Sequence, residues 1–114
     1  MLNFIENNFQ SQPLNTVERY DPETQRWEDV APLNVARTGL SVVTLPDGIY
    51  AIGGYDGSKY LNTVERYDDH ENAWVFVGSM NYAKCRTAAV VSSDLRYIYS
   101  FGGFNNGAMS TVEK

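Results

Sequence analysis

One eight-residue string occurs twice in this chain and constrains its fold more than any other feature. The string Leu-Asn-Thr-Val-Glu-Arg-Tyr-Asp covers residues 14–21 and returns 47 residues later, at residues 61–68. A shortened, diverged copy begins at Met109 and reaches the last residue, Lys114. Because eight consecutive matches are very improbable by chance, the chain is an array of one repeated unit. A repeat period of about 40–50 residues predicts a propeller or another repeat architecture.

The segment between and around the two copies carries strand and turn signals. Apolar, β-branched or aromatic residues are concentrated in four short segments, residues 39–45, 49–52, 63–67 and 74–77. Such residues favour strands, and the Pro-Asp-Gly tripeptide at 46–48 is typical of a turn. No segment shows a 3.6-residue apolar period of helical length. We therefore predict an all-β chain with four strands in each repeat.

Composition excludes several classes of protein. With 43% hydrophobic and 13% aromatic residues, the chain is too apolar to be mainly disordered. A net charge of −5 argues against nucleic acid or an acidic membrane as a partner. The sequence contains no apolar stretch of membrane-spanning length, no secretory signal and no second cysteine to pair with Cys85. These features predict a cytoplasmic location.

Residues suited to catalysis or metal binding are scarce. The chain has one histidine, His70, in a predicted solvated turn, and Cys85 lies in a different loop, so a metal site is not expected. The sequence contains no Ser/His/Asp set and no phosphate-binding glycine loop of the usual spacing. The pairs Glu18-Arg19 and Glu65-Arg66 recur identically, which indicates scaffold ion pairs or solvated edges. We predict neither enzymatic activity nor a cofactor.

The order of the conspicuous residues resembles the kelch repeat, and most closely the kelch-like subfamily of adaptor proteins. That order is an Arg-Thr pair, an apolar strand, a Gly-Gly pair, a Tyr-Asp-Gly loop, a Val-Glu-x-Tyr segment and a Trp seven residues later. Arginine precedes the glycine pair by 16 residues in both repeats, so Arg86 is expected to be the counterpart of Arg37. The motif residues are Arg37, Gly53, Gly54, Tyr67 and Trp74, then Arg86, Gly102 and Gly103, with Tyr20 and Trp27 from the preceding repeat.

These motif residues also have physical reasons to be structural. A glycine pair suits a bend where another backbone comes close, and large amphipathic rings suit the wedge between neighbouring sheets. We therefore expect Gly53, Gly54, Tyr67 and Trp74 to hold the fold.

The resemblance implies a partial propeller with one complete four-stranded blade. We expect residues 1–13 to form a leader outside the repeat, and residues 14–114 to form the kelch-repeat region. Within that region, residues 14–36 end one blade, 37–83 form the complete blade with its following loop, and 84–114 supply the first three strands of the next. Closed propellers need about four to eight blades. The chain could thus be a fragment of a longer protein, which we favour, one of several copies that complete a ring, or a nonfunctional remnant.

In kelch proteins the partner surface is made by the loops between blades and the loops after each glycine pair. Carried over by position, the implied contacts are Arg37, Thr38, Tyr55, Asp56, Arg86, Thr87, Phe104 and Asn105. Alternatives remain open for several of them. The arginines could neutralise carbonyl groups, Asp56 could be a turn former, and Tyr55 and Phe104 could be lids over the central channel.

Two further expectations concern the loop at residues 81–85. Counting from the expected Arg86, this loop carries two extra residues, which would confine length variation to the proposed partner loops. Cys85 lies between Lys84 and Arg86, so it is either a thiol of lowered pKa or an ordinary unpaired cysteine.

The resemblance implies that the chain recognises substrates for a cullin-based ubiquitin ligase. In that subfamily BTB and BACK domains contact the ligase, and these 114 residues contain neither. The chain could therefore bind a substrate without delivering it. A cytoskeletal kelch protein that binds actin is the alternative.

Overall fold

The computed structural model describes residues 2–4 and 12–114, and the regular structure within them is entirely β. The strands are β1 Leu2–Phe4, β2 Val17–Asp21, β3 Arg26–Val30, β4 Ser41–Leu45, β5 Gly48–Tyr55, β6 Tyr60–Asp68, β7 Ala73–Ser79, β8 Ala88–Val91, β9 Ile98–Phe101 and β10 Val112–Glu113. They form three antiparallel sheets, in the orders β1-β2-β3, β4-β5-β6-β7 and β10-β9-β8. The predicted all-β class, with one complete four-stranded blade between two incomplete ones, is confirmed. The described residues contain no helix long and apolar enough to cross a membrane.

The middle sheet shows why the glycine pair is needed. Strand β5 changes register against β6 between Ile52 and Gly54, and Gly53 and Gly54 have φ values of 61° and 107°. A Cβ on Gly53 would lie only 2.6 Å from the carbonyl oxygen of Lys84, in the connection between β7 and β8. Any side chain here would therefore combine backbone strain with a clash against the connection that leads to the third sheet.

The hydrophobic core lies between the first and middle sheets. It consists of Val17, Leu33, Ala51, Tyr67 and Trp74. The rings of Tyr67 and Trp74 are 5.3 Å apart at 50°, a tilted arrangement favourable for aromatic pairs. Trp74 Nε1 donates a 2.9 Å hydrogen bond to the carbonyl oxygen of Ala31, so its polar tip is satisfied inside this core.

Part of the expected leader belongs to the first sheet. Strand β1 pairs with β2, with Leu2 opposite Arg19 and Phe4 opposite Val17. It takes the place beside β2 that β5 takes beside β6 in the middle sheet. The first sheet thus has three strands where the repeat pattern alone indicated two, while residues 1 and 5–11 of the expected leader lie outside the described residues.

Candidate functional site

The Arg37 side chain lies inside the middle sheet, where it binds a buried carboxylate. It is 1% exposed, and its Nη2 atom lies 2.9 Å from Glu65 Oε2. Its Nη1 atom donates to the carbonyl oxygens of Gly53 at 2.9 Å and Thr63 at 2.8 Å. Burial lowers the pKa of Arg37, and the hydrogen bond and charge of Glu65 oppose that shift. This geometry corrects the expectation that Arg37 contacts a partner, because the guanidinium instead neutralises interior carbonyls and Glu65.

Glu65 connects this buried pair to the segment that joins the first sheet to the middle one. Its Oε1 accepts a 2.7 Å bond from the backbone N–H of Asn34, and its Oε2 accepts a 3.3 Å bond from Val35. Charge-assisted bonds of this kind are stronger than neutral ones. The ion pair therefore fixes the path of the inter-sheet connection as well as the strand that carries Glu65.

The counterpart of Arg37 in the third repeat is Lys84, which corrects the expectation that it is Arg86. The backbone N–H of Lys84 donates to Leu61, just as that of Arg37 donates to Leu14. The Lys84 side chain is fully buried, with Nζ 3.1 Å from Glu113 Oε2, which mirrors the Arg37 pair. Arg86, which has a φ of 54°, is exposed. Its side chain therefore does not form the buried ion pair of the third repeat.

With Lys84 aligned to Arg37, the two extra residues of the third repeat no longer lie in the loop at residues 81–85. Residues 80–84 equal residues 33–37 in length, because both segments begin and end on equivalent backbone hydrogen bonds to the duplicated string. The added length lies in the connection between β8 and β9, residues 92–97, which is longer than the Pro46-Asp47 connection between β4 and β5. The expectation that length varies only in the proposed partner loops is therefore wrong.

The two threonines of the predicted set are engaged within the fold. Thr87 is buried, and its Oγ1 lies 2.6 Å from Ser100 Oγ and donates to the carbonyl oxygen of Phe101 at 2.9 Å. This burial corrects the expectation that Thr87 contacts a partner. Thr38 is half-buried and exchanges two 2.9 Å backbone bonds with Tyr55.

Three aromatic rings form a row across the loops that follow the glycine pairs. Tyr55 and Tyr60 have ring centroids 5.1 Å apart, and Tyr60 lies 6.1 Å from Phe104. Phe104 is 42% exposed, and its backbone exchanges two hydrogen bonds with Cys85. The aromatic row (Tyr55, Tyr60 and Phe104) thus combines the exposed Phe104 with two half-buried rings, Tyr55 at the end of β5 and Tyr60 at the start of β6.

Sequence reasoning missed Tyr60 in this row and Tyr82 in the loop before Cys85. Tyr82 is 53% exposed. Both are aromatic residues inside the loop ranges that the resemblance marks for partner contact, and that composition was a usable signal. The motif comparison drew attention only to residues next to the glycine pairs and at the Arg-Thr positions.

Asp56 and Asn105 each organise a loop of this surface. Asp56 Oδ1 accepts 2.8 Å bonds from the backbone N–H groups of Ser58 and Lys59, which together lower the pKa of Asp56. This is the geometry of a turn former, the alternative that the sequence left open. Asn105 is exposed, and its Nδ2 donates to the carbonyl oxygen of Ala83 at 2.8 Å, which joins two neighbouring loops.

Comparison with known proteins agrees with the repeat geometry. The kelch motif model matches residues 6–34 and 36–81, well over half of the chain. This chain belongs to the kelch-repeat family. Kelch-like protein 1 of Mus musculus is 52% identical over 50 residues, which are 44% of this chain and 7% of that protein. Kelch-like protein 5 of Homo sapiens is 45% identical over 53 residues, covering 46% of this chain and 7% of the relative. The kelch chain therefore spans less than a tenth of the length of these relatives.

The cysteine of the kelch chain, Cys85, is buried beneath the candidate loops. Cys85 is 7% exposed, and burial raises its pKa, although the charge of Arg86 acts in the opposite direction. The hypothesis of a lowered pKa is therefore wrong, and Cys85 is an ordinary unpaired cysteine. Among the residues that the structure describes, no three His, Cys, Asp or Glu side chains are grouped so that they could hold a metal ion.

Proposed function

We propose that this kelch chain binds a protein partner through a rim formed by the aromatic row, Tyr82 and Arg86. As a kelch-repeat chain it is a protein-interaction module, and the rim is the surface that best fits that role. The observation that carries the proposal is the aromatic row, whose exposed Phe104 is bonded through its backbone to Cys85, the residue before the exposed Arg86. Aromatic and arginine side chains dominate the binding energy of protein interfaces.

The anchoring of the rim supports the same conclusion. Phe104 is held through its backbone bonds to Cys85, and the next residue, Arg86, donates its backbone N–H to Gly39 at 2.7 Å. Loops positioned by a rigid scaffold are common sites of recognition, because little conformational entropy is lost when they bind.

We further propose that the partner is a substrate of a cullin-based ubiquitin ligase. The chain would then act as part of the substrate-recognition propeller of a kelch-like adaptor. We propose that it does so in the cytoplasm. Support comes from the relatives, which are named as kelch-like proteins. The actin-binding alternative makes a different prediction, because a filament would itself be the partner.

The test is a quantitative capture experiment with the immobilised chain and cell extract. Phe104→Ala and Arg86→Ala each truncate one exposed side chain of the rim. Glu71→Ala is the matched control, since Glu71 is exposed in the β6–β7 turn at the opposite end of the sheet. We expect a specific partner to be retained by wild type and Glu71→Ala, and its affinity to fall about 10-fold or more with either rim variant.

The captured protein is then purified and titrated against the same variants. A partner that binds all three variants equally well would contradict the proposed rim. Co-sedimentation of the chain with purified actin filaments separates the two partner classes, and filament binding that depends on Phe104 would refute the ligase role while retaining the rim. For a ligase substrate, we expect excess chain in cells to lower the ubiquitination of the captured protein by competition.

A further inference from the structure

The loop between β9 and β10 contains an Asn-Gly dipeptide, Asn106-Gly107, outside the residues of the rim. An asparagine side-chain amide can react with the backbone nitrogen of the next residue, and asparagine is accordingly among the labile residues of proteins. A side chain on the next residue hinders this reaction, whereas glycine has no Cβ beside its nitrogen. Whether the folded loop permits the reaction depends on the surroundings of these two residues.

The folded loop leaves both reacting groups accessible. Asn106 is exposed and has a φ of 56°. A Cβ built on Gly107 would meet no atom within 4 Å, so the space beside its backbone is open. The Gly107 N–H donates to no described residue, whereas the Gly107 carbonyl oxygen accepts a 3.1 Å bond from the N–H of Asn105. Within the described part of the chain, the nitrogen of Gly107 is thus neither shielded nor held in a hydrogen bond.

This openness is a property of the loop and does not come from the ends of the chain. The middle sheet has neighbours on both sides, because the core joins it to the first sheet and β4 contacts β8 of the third. Its own loop after the glycine pair, between β5 and β6, nevertheless exposes residues 57–59. A further repeat packed on the third sheet is therefore expected to leave Asn106-Gly107 exposed as well.

We propose that Asn106-Gly107 is a site of spontaneous deamidation in the folded chain. The Gly107 nitrogen attacks Cγ of Asn106, a new N–Cγ bond closes an imide ring, and the Cγ–Nδ2 bond breaks. The Nδ2 group leaves as ammonia with the proton of the former N–H. Water from the solvent then opens the ring, at Cγ to give aspartate or at the backbone carbonyl to give isoaspartate. The net reaction consumes one water, releases one ammonia and adds one negative charge to the loop.

The effect of this reaction on binding rests on the proposed function. Asn106 Nδ2 donates to Asn105 Oδ1 at 3.3 Å, and Asn105 Nδ2 donates to the carbonyl oxygen of Ala83, which joins two neighbouring loops. A carboxylate at position 106 has no proton to donate and repels the Asn105 oxygen, while isoaspartate also lengthens the main chain by one carbon. Both products weaken the anchoring of the loop that carries Phe104. The partner should therefore bind the modified chain less tightly.

The first measurement is peptide mass spectrometry of the folded chain after incubation in mildly alkaline buffer, which favours loss of the Gly107 N–H proton. Asn81 is the control within the same sample, since it is exposed and is followed by Tyr82. We expect acid to form several-fold faster at Asn106 than at Asn81, as both aspartate and isoaspartate. Equal rates at the two positions, or reaction at Asn106 only after unfolding in urea, would overturn the proposal.

Asn106→Gln is the matched blocking variant. Glutamine must close a larger ring, and Gln25 already adopts a φ of 59° in this chain, so the backbone of the loop can be retained. Circular dichroism checks that the variant folds, and we expect it to form no acid at position 106. Acid formed at the neighbouring Asn105 to the same extent in wild type and variant would overturn the assignment to Asn106. If the variant does not fold, the comparison with Asn81 in wild type decides the result.

Titration of the partner captured by the rim separates this inference from the proposed function. Wild type aged in the same buffer is expected to bind several-fold less tightly than fresh wild type, and aged Asn106→Gln as tightly as the fresh variant. Asn106→Asp should reproduce the loss. Equal affinities of fresh and aged wild type, with acid present at position 106, would overturn the effect on binding. A partner that is insensitive to Phe104→Ala would instead refute the rim, and mass spectrometry would still decide the deamidation site.

Discussion

Replacing Arg37 with alanine is expected to lower the free energy of unfolding by about 3–5 kcal/mol, the usual loss when one partner of a buried ion pair is removed. The side chains of Arg37 and Glu65 are both fully buried, so the variant leaves the Glu65 carboxylate without its cation in the interior. It also removes donors to the carbonyl oxygens of Gly53 and Thr63. Equilibrium urea denaturation followed by tryptophan fluorescence measures the change.

Arg19→Ala is the matched control for that experiment. Arg19 occupies an exposed ion pair with Glu28 on the first sheet, with side chains 36% and 53% exposed. Exposed pairs contribute about 0–1 kcal/mol, so this variant should unfold close to wild type. A loss below 1 kcal/mol for Arg37→Ala, or equal losses for the two variants, would contradict the interior role of Arg37.

Trp74→Ala is the second substitution with a large expected effect. Removing a buried aromatic side chain costs about 3–5 kcal/mol, through lost transfer free energy and the cavity that remains. Here the carbonyl oxygen of Ala31 also loses its donor, and the Tyr67 ring loses its neighbour. Because folded domains are stable by only about 5–15 kcal/mol, we expect a large decrease in the melting temperature, measured by circular dichroism.

The repeat supplies its own control for Trp74. Trp27 occupies the equivalent position and keeps the equivalent tyrosine neighbour, but half of its surface is exposed. We expect Trp27→Ala to cost about 1 kcal/mol, typical of a residue outside a packed core. A similar loss for both variants would mean that burial between sheets does not determine the role of this tryptophan.

Local sequence patterns were sufficient to predict the repeat, the all-β class and the two aromatic residues, Tyr67 and Trp74, of the core between the first two sheets. Tyr67 and Trp74 lie seven residues apart, as do Tyr20 and Trp27 in the preceding repeat. This spacing places Tyr67 opposite Trp74 across the β6–β7 pair. Gly53 and Gly54 could be interpreted because few other residues tolerate positive φ beside another backbone. In each case a short local pattern marked the residue, although the contacts of Gly53 with Lys84 and of Trp74 with Ala31 are made between residues distant in sequence.

The interior ion pairs could not be predicted in the same way, because their partners are distant in sequence. Arg37 meets Glu65 and Lys84 meets Glu113, each across more than 25 residues. A motif comparison matches residue type, so it aligned Arg86 with Arg37, whereas the backbone hydrogen bonds align Lys84. The correct alignment of the repeats was missed because a lysine replaces the arginine and because the β8–β9 connection is longer than its counterpart.

The most direct test of this account compares the stability of Lys84→Ala with that of Arg86→Ala. Lys84 belongs to the interior and Arg86 to the binding rim, so the two residues should differ in their contribution to stability. We expect Lys84→Ala to lower the free energy of unfolding by at least about 2 kcal/mol, because Glu113 loses a buried partner. Arg86→Ala should change it by no more than about 0.5 kcal/mol, as for an ordinary surface residue. A larger loss for Arg86→Ala than for Lys84→Ala would contradict the account and restore Arg86 as the structural counterpart of Arg37.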